Sequence, residues 1–214
     1  MDDQPGLRER KKEATRRQLS AAALDLIEAH GFDDASCAAI AAAANVSKKT
    51  LFNYFALKAD LVLELPRKPH VHEPAAVVRA REPGETPHGA LRAHLLAGLA
   101  ARHPSTGLSD DPEVLRLNRV IRDNPPLADR AAQYREESRR LLVGALIEEG
   151  TPVLTARLVA TQLHGTLEVL IAENTRRTMT GDPPDQIYPD AVAATEEAFT
   201  LLTQGLGDLL RRPG

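Results

Sequence analysis

Apolar residues recur along this chain at intervals of three and four, and no stretch alternates apolar and polar with a period of two. That spacing predicts helices throughout. Leu19, Ala22, Ala23, Leu26 and Ile27 stripe a first helix from about Arg10 to His30, which Gly31 should cap, while residues 1 to about 8 are expected to be disordered. Residues 36 to 58, SCAAIAAAANVSKKTLFNYFALK, then read as a short helix, a tight turn at Asn45-Val46-Ser47 and a second short helix. Asn accepts the left-handed conformation that ends a helix, and Ser47 is a good N-cap for the next. Ile40, Val46, Leu51 and Phe55 form the apolar set that holds the pair together, with Phe52 beside them. A fourth helix starts near Leu57-Lys58, carries Leu61, Val62 and Leu65, and should end or kink at Pro66.

Prolines crowd residues 66–88, which predicts a division into an N-terminal domain at 1–65, a proline-rich connection at 66–88 with a short helix over Ala75 to Arg81, and a larger C-terminal domain at 89–214. Helices are expected there at about 88–102, 111–122, 127–149, 152–178 and 189–211, with Thr151 as N-cap and Pro152 as first helical residue of the fourth. The last carries a heptad stripe, Val192, Thr195, Phe199, Leu202, Leu206 and Leu209. Beside it lie Ala191, Ala194, Ala198, Leu201 and Gly205, which is one apolar stripe more than a single core needs. Together with Val159, Leu163, Leu167 and Leu170 of the preceding helix, Ala191, Ala194, Ala198, Leu201, Leu202 and Gly205 are the expected dimer interface, a four-helix packing of two copies.

Composition narrows the class. Aromatics make up only 3% and Trp is absent, so an all-α protein with a core of Leu, Ala, Val and Ile is expected. One cysteine excludes an internal disulfide, no signal peptide is visible, and no apolar run approaches the roughly 20 residues that span a bilayer. A cytoplasmic protein with no membrane partner is the expectation. Net charge is −3, which bulk arithmetic would score against nucleic acid, but position matters more. Arg8, Arg10, Lys11, Lys12, Arg16 and Arg17 cluster near the N-terminus, and Lys48, Lys49 and Lys58 cluster around the second short helix.

A helix, a turn and a helix is the unit that places a helix in the DNA major groove. Ser47, Lys48, Lys49 and Asn53 form the candidate base-facing edge, with Thr50 and Tyr54 flanking it toward phosphates. Lys58 and the helix start at Ser36-Cys37 are further expected phosphate contacts. These residues carry a resemblance. Residues 15 to 62 resemble the N-terminal domain of TetR-family transcriptional regulators, through Ala22-Ala23-Leu24, Gly31-Phe32, Ile40-Ala41, Val46-Ser47, Thr50-Leu51-Phe52, Tyr54-Phe55 and Lys58-Ala59-Asp60-Leu61. Asn45 departs from the family's usual Gly, and Ser36-Cys37 from its usual Thr pair. The segments ARxPGETPxxALRAHLLAGL and RLNRVIRDNPPL also resemble an actinobacterial subgroup that includes regulators near mycofactocin gene clusters, some of them responsive to acyl-CoA.

The resemblance implies a homodimeric repressor that binds a palindromic double-stranded DNA operator and leaves it when a small-molecule effector binds the C-terminal domain. An effector pocket would draw on Leu91, Leu95, Leu115, Asn118, Ile121, Tyr134, Leu163 and His164, a mostly apolar set suited to a hydrophobic or acyl-type ligand, with Arg116, Arg119 and Arg122 near an acidic group. An activator, an effector-independent DNA-binding protein, and an all-α enzyme or carrier are the alternatives. No phosphate loop, nucleophile elbow or His-Glu-x-x-His is present, so neither catalysis nor a cofactor is expected. The pair His70 and His72, and the trio His94, His103 and His164, lack strong ligand spacing, so no metal is expected either. Cys37 reads as a small residue at a helix start, without a second thiol to resolve an oxidised form.

Overall fold

Helices form wherever the three-and-four spacing runs, and the described residues contain no strand, so the fold is all-α. The computed structural model describes residues 6–205, with the side chains at 7 and 65–69 excepted. The expected disorder at residues 1–5, the stripe positions Leu206 and Leu209, and the side chain of Leu65 lie outside that description. The helices are α1 (Leu7–His30), α2 (Cys37–Ala43), α3 (Lys48–Tyr54), α4 (Asp60–Val71), α5 (Glu73–Ala80), α6 (Pro87–Ala100), α7 (Pro112–Asp123), α8 (Pro125–Glu148), α9 (Val153–Met179) and α10 (Pro184–Gln204), with a 3-10 turn at Pro104–Thr106.

Four boundaries differ from expectation. The first helix begins at Leu7, inside the stretch expected to be disordered. The fourth runs on through Pro66 to Val71, and the last starts at Pro184 and runs through Pro189. A proline removes one N–H donor and crowds one carbonyl, which a helix held by its neighbours can absorb. Pro152, not Thr151, occupies the N-cap of α9.

The chain divides into two compact units, each made of two stretches: Met1–Pro69 with Leu117–Tyr134, and His70–Arg116 with Arg135–Gly214. In the first, α1 packs on α2 and α2 on α3. Leu19, Ala23 and Ile27 of α1 are buried, as are Ile40, Leu51, Phe55, Leu61 and Leu63, each Leu, Ile or Phe side chain contributing roughly 1.5–3 kcal/mol of burial. The corner between α7 and α8 completes this unit. Asn124 accepts from the Phe32 N–H (2.9 Å) and donates to the Val120 carbonyl (2.7 Å). Asp60, only 6% exposed, takes a bidentate pair of hydrogen bonds from Arg130 (2.7 and 3.2 Å) and one from the Tyr134 hydroxyl (2.7 Å). Burial and the Asp60 carboxylate push the Tyr134 phenol up, so it stays a donor.

In the second unit α10 packs on α6 and α9, and α5 on α6, around Leu91, Leu95, Leu99, Leu108, Leu142, Leu163 and Phe199. The loop after α6 meets α9 closely. Gly107 has φ +75°, and a Cβ there would sit 2.5 Å from the Ile171 carbonyl oxygen and from Thr175 Oγ1. Asn174 and Thr178 donate to the carbonyls of Thr106 and Gly107 (3.0 and 3.2 Å). We expect Gly107→Ala to lower stability by about 2–5 kcal/mol, from the left-handed backbone and the overlap together. Gly144→Ala, in open space within α8, should instead raise it by about 0.5–1 kcal/mol. Urea denaturation of the two variants checks both signs.

Glu73 joins three helices, meeting His70 Nδ1 at 3.1 Å and His94 Nε2 at 3.0 Å. The hydrogen bonds from His70 and then His94 hold its carboxyl well below the usual range, and the bond to Glu73 raises the His94 imidazole. Glu73's contribution to stability is present above the ordinary carboxyl value of 4.5 and is lost as pH falls through the lowered folded value. That of His94 is present below the ordinary 6.5 and is lost as pH rises through the raised one. The difference in melting temperature between wild type and His94→Gln should therefore be largest between pH 4.5 and 6.5 and shrink toward alkaline pH; a difference flat across pH contradicts this.

Candidate nucleic-acid interface

The α2–α3 turn closes as its sequence requires. Asn45 sits at φ 52°. Its N–H donates to the Ala42 carbonyl (3.0 Å), and the Val46 N–H reaches back to Ala41 (2.9 Å), the paired bonds of a Schellman C-cap. Ser47 Oγ accepts from the Thr50 N–H (3.0 Å) and lies 2.8 Å from Thr50 Oγ1, while Ser36 Oγ accepts from the Ala39 N–H (3.1 Å). Both short helices thus have a side-chain N-cap, and neither has an acidic residue in its first turn. With Ile40, Leu51 and Phe55 turned inward, Ser47, Lys48, Lys49 and Asn53 stand exposed, flanked by half-buried Thr50 and Tyr54. Ser36 is exposed and Cys37 half-buried.

Two expected placements change. Phe52 does not join the apolar set; it is 48% exposed, with Lys48 Nζ 5.9 Å from its ring centroid. Lys48 and Phe52 are four apart on one helix and so share the outward face, a spacing that could have identified this residue. An exposed aromatic there suits a thymine methyl. Lys58 also serves the fold: its ammonium donates to the Phe32 carbonyl and lies 4.4 Å from the Phe32 ring centroid. Its partner is 26 residues away, which local spacing does not reveal.

Of the basic N-terminal cluster, Arg16 is committed to Glu64 (2.9 Å) and Arg17 pairs with Glu13 (3.2 Å). Arg8, Lys11 and Lys12 remain exposed. They line, with Glu9, Thr15, Thr50, Asn53 and Tyr54, an open concavity of about 880 Å³ between α1 and α3. Cationic side chains of α1 therefore border the donor-rich helix across this concavity, a charge arrangement suited to phosphate contacts.

The remaining expected residues scatter. Leu91, Leu95, Leu115, Leu163 and His164 fall in the second unit, whereas Asn118, Ile121 and Tyr134 fall in the first, so the eight pocket candidates do not form a set within either unit. Leu91, Leu95 and Leu163 are buried in the core, and Tyr134 spends its hydroxyl on Asp60. His164 is buried 3.7 Å from Glu168, and burial pushes its imidazole down. Of the dimer candidates, Leu163, Leu167 and Ala191 are covered by their own chain, while Val159, Leu170, Ala198, Leu201 and Leu202 are partly exposed and Ala194 and Gly205 exposed. The most exposed apolar side chains of α9 are Val153, Leu154, Leu158 and Val169, at 59%, 68%, 57% and 69%. Among the described residues no group of three or more His, Cys, Asp or Glu could hold a metal, and no helix is long and apolar enough to cross a membrane.

Comparison with known proteins agrees with this geometry. Residues 19–65 match the family of bacterial regulatory proteins called the tetR family. The transcriptional regulator TcmR of Streptomyces glaucescens is 38% identical over 95 residues, and the match spans 42% of this chain and 42% of that relative. Two solved structures share the fold at 18% identity. A TetR-family regulator from Mesorhizobium loti has a TM-score of 0.51 over 89% of this chain and 97% of its own. NalD, the secondary repressor of the MexAB-OprM multidrug efflux pump in Pseudomonas aeruginosa, has a TM-score of 0.55 over 88% and 96%.

Because Lys58 is engaged within the fold and Lys48 is not, the two should separate in experiment. We expect Lys48→Ala to weaken duplex binding while changing stability by no more than about 0.5 kcal/mol, and Lys58→Ala to lower the melting temperature as well. Melting curves beside binding isotherms of the two variants give the comparison.

Proposed function

We propose that this TetR-family transcriptional regulator is a homodimeric repressor whose two α3 helices read a near-palindromic operator in successive major grooves. The observation that carries the reading is the capped α2–α3 pair, with Lys48, Lys49, Phe52 and Asn53 on its open face and no acid in either first turn. Two-fold symmetry in the protein would match two-fold symmetry in the operator, with half-sites roughly 34–36 Å apart. The partner surface is assigned to α9 and α10, which carry the exposed Leu154, Leu158 and Val169 on the one and the exposed Ala194 and partly exposed Ala198 on the other. Exposed side chains of this size at helical spacing mark a surface meant to be covered.

Release follows if an effector binds one dimer geometry more tightly than the other, since equal affinity for both shifts nothing. The apolar core of the second unit around Leu91, Leu95 and Leu163 favours a hydrophobic or acyl-type ligand that opens space among these side chains. Membership of the mycofactocin-regulator-like subgroup, with acyl-CoA as effector, is the finer form of this proposal.

Selection of bound duplexes from a random pool tests the reading. We expect a near-palindromic consensus, affinity that falls steeply with salt, and changed sequence preference in Lys49→Ala. Leu158→Glu should yield a monomer that binds the selected duplex at least about a hundredfold more weakly, because the second half-site is lost. Random-pool DNA without enrichment, or a wild-type monomer at micromolar concentration, contradicts the proposal.

A further inference from the structure

The helix-turn-helix is gripped at both ends, mostly by side chains that lie far from it in sequence. On the entry side the connector between α1 and α2 is fixed at Phe32, whose N–H is held by Asn124 and whose carbonyl is held by Lys58. On the exit side, six residues after α3, Asp60 is buried and clasped by Arg130 and Tyr134. The Arg130 guanidinium also lies 4.6 Å from the Tyr134 ring centroid, so the two donors brace each other. Three of these four groups come from the α7–α8 corner, and all belong to the first compact unit.

We propose that the α7–α8 corner is a working part of the DNA-reading head, and that Asn124, Arg130 and Tyr134 are positioning residues for operator recognition. The inference rests on the DNA-reading proposal above. Base readout needs α3 held to a fraction of an ångström against its groove, whereas phosphate attraction tolerates slack. The two fastened points, Phe32 and Asp60, fix where residues 36–58 begin and end. Loosening them frees the reading helix without removing any cation from its surface. Discrimination between sequences should therefore suffer before general affinity does.

The test uses the full-length chain and the variants Asn124→Ala, Arg130→Gln and Tyr134→Phe, with Arg140→Gln of exposed α8 as control. Each is titrated with the duplex that wild type selects from a random pool and with a scrambled duplex of equal length, at a temperature where circular dichroism shows it folded. We expect affinity for the selected duplex to fall about tenfold in Asn124→Ala and Arg130→Gln and about threefold in Tyr134→Phe. Binding of the scrambled duplex should stay within about twofold, because the phosphate contacts remain. A merely structural role would lower the melting temperature and leave the preference for the selected duplex unchanged; that outcome overturns the inference. If Arg130→Gln does not fold, Tyr134→Phe, which lacks a single oxygen atom, decides the matter by the same ratio. Wild-type behaviour judges the DNA-reading proposal itself, so its failure is distinguishable from failure of the variants.

Discussion

The placement of the proposed reading helix depends on one backbone conformation, the left-handed residue at Asn45. It turns the chain sharply enough for Ile40, Leu51 and Phe55 to face the same interior as Leu19 and Ile27 of α1. Once those side chains are inside, helical geometry leaves no choice about what stays outside: Lys48, Lys49, Phe52 and Asn53 must face solvent. Asn bears the strain that most residues would not, and the cap bonds from the Asn45 N–H to Ala42 and from the Val46 N–H to Ala41 satisfy carbonyls that would otherwise be orphaned.

Around that turn the molecule invests buried polarity. A carboxylate as enclosed as Asp60 is costly unless it is paired and hydrogen-bonded, and removing one partner of such a set typically costs about 3–5 kcal/mol. Two donors meet it, and its place in the first turn of α4 adds the favourable end of the helix dipole. Polar clasps specify position where apolar packing would allow sliding. Their occurrence on both flanks of the proposed reading helix points to a demand for exact placement there.

What the sequence disclosed, and what it withheld, follows from the range of the interactions. Gly31, Asn45 and Ser47 were legible because a cap is a local event, settled within three or four residues. Lys58 was not, because its carbonyl partner is 26 positions away, nor was the allegiance of Asn124 to Phe32, which are 92 apart. Pro66 and Pro189 looked like helix ends, yet each removes only one donor, and the helices continue. On α9 the spacing of Val159, Leu163, Leu167 and Leu170 was read as a partner face. Burial assigns Leu163 and Leu167 to the core and leaves Leu154, Leu158 and Val169 outward, a choice that depends on α10 and the 3-10 turn, the neighbours of α9, and not on α9's own spacing.

The claim beneath these arguments is geometric: two copies of α3 lie in adjacent major grooves on one face of the duplex. Guanine N7 methylation interference on a bound duplex reads this directly, since N7 is exposed only in the major groove. The account predicts two clusters of interfering guanines, or interfering positions of equivalent major-groove probes, centred one helical turn apart and related by a dyad. A single cluster, or binding indifferent to every major-groove modification, would contradict it.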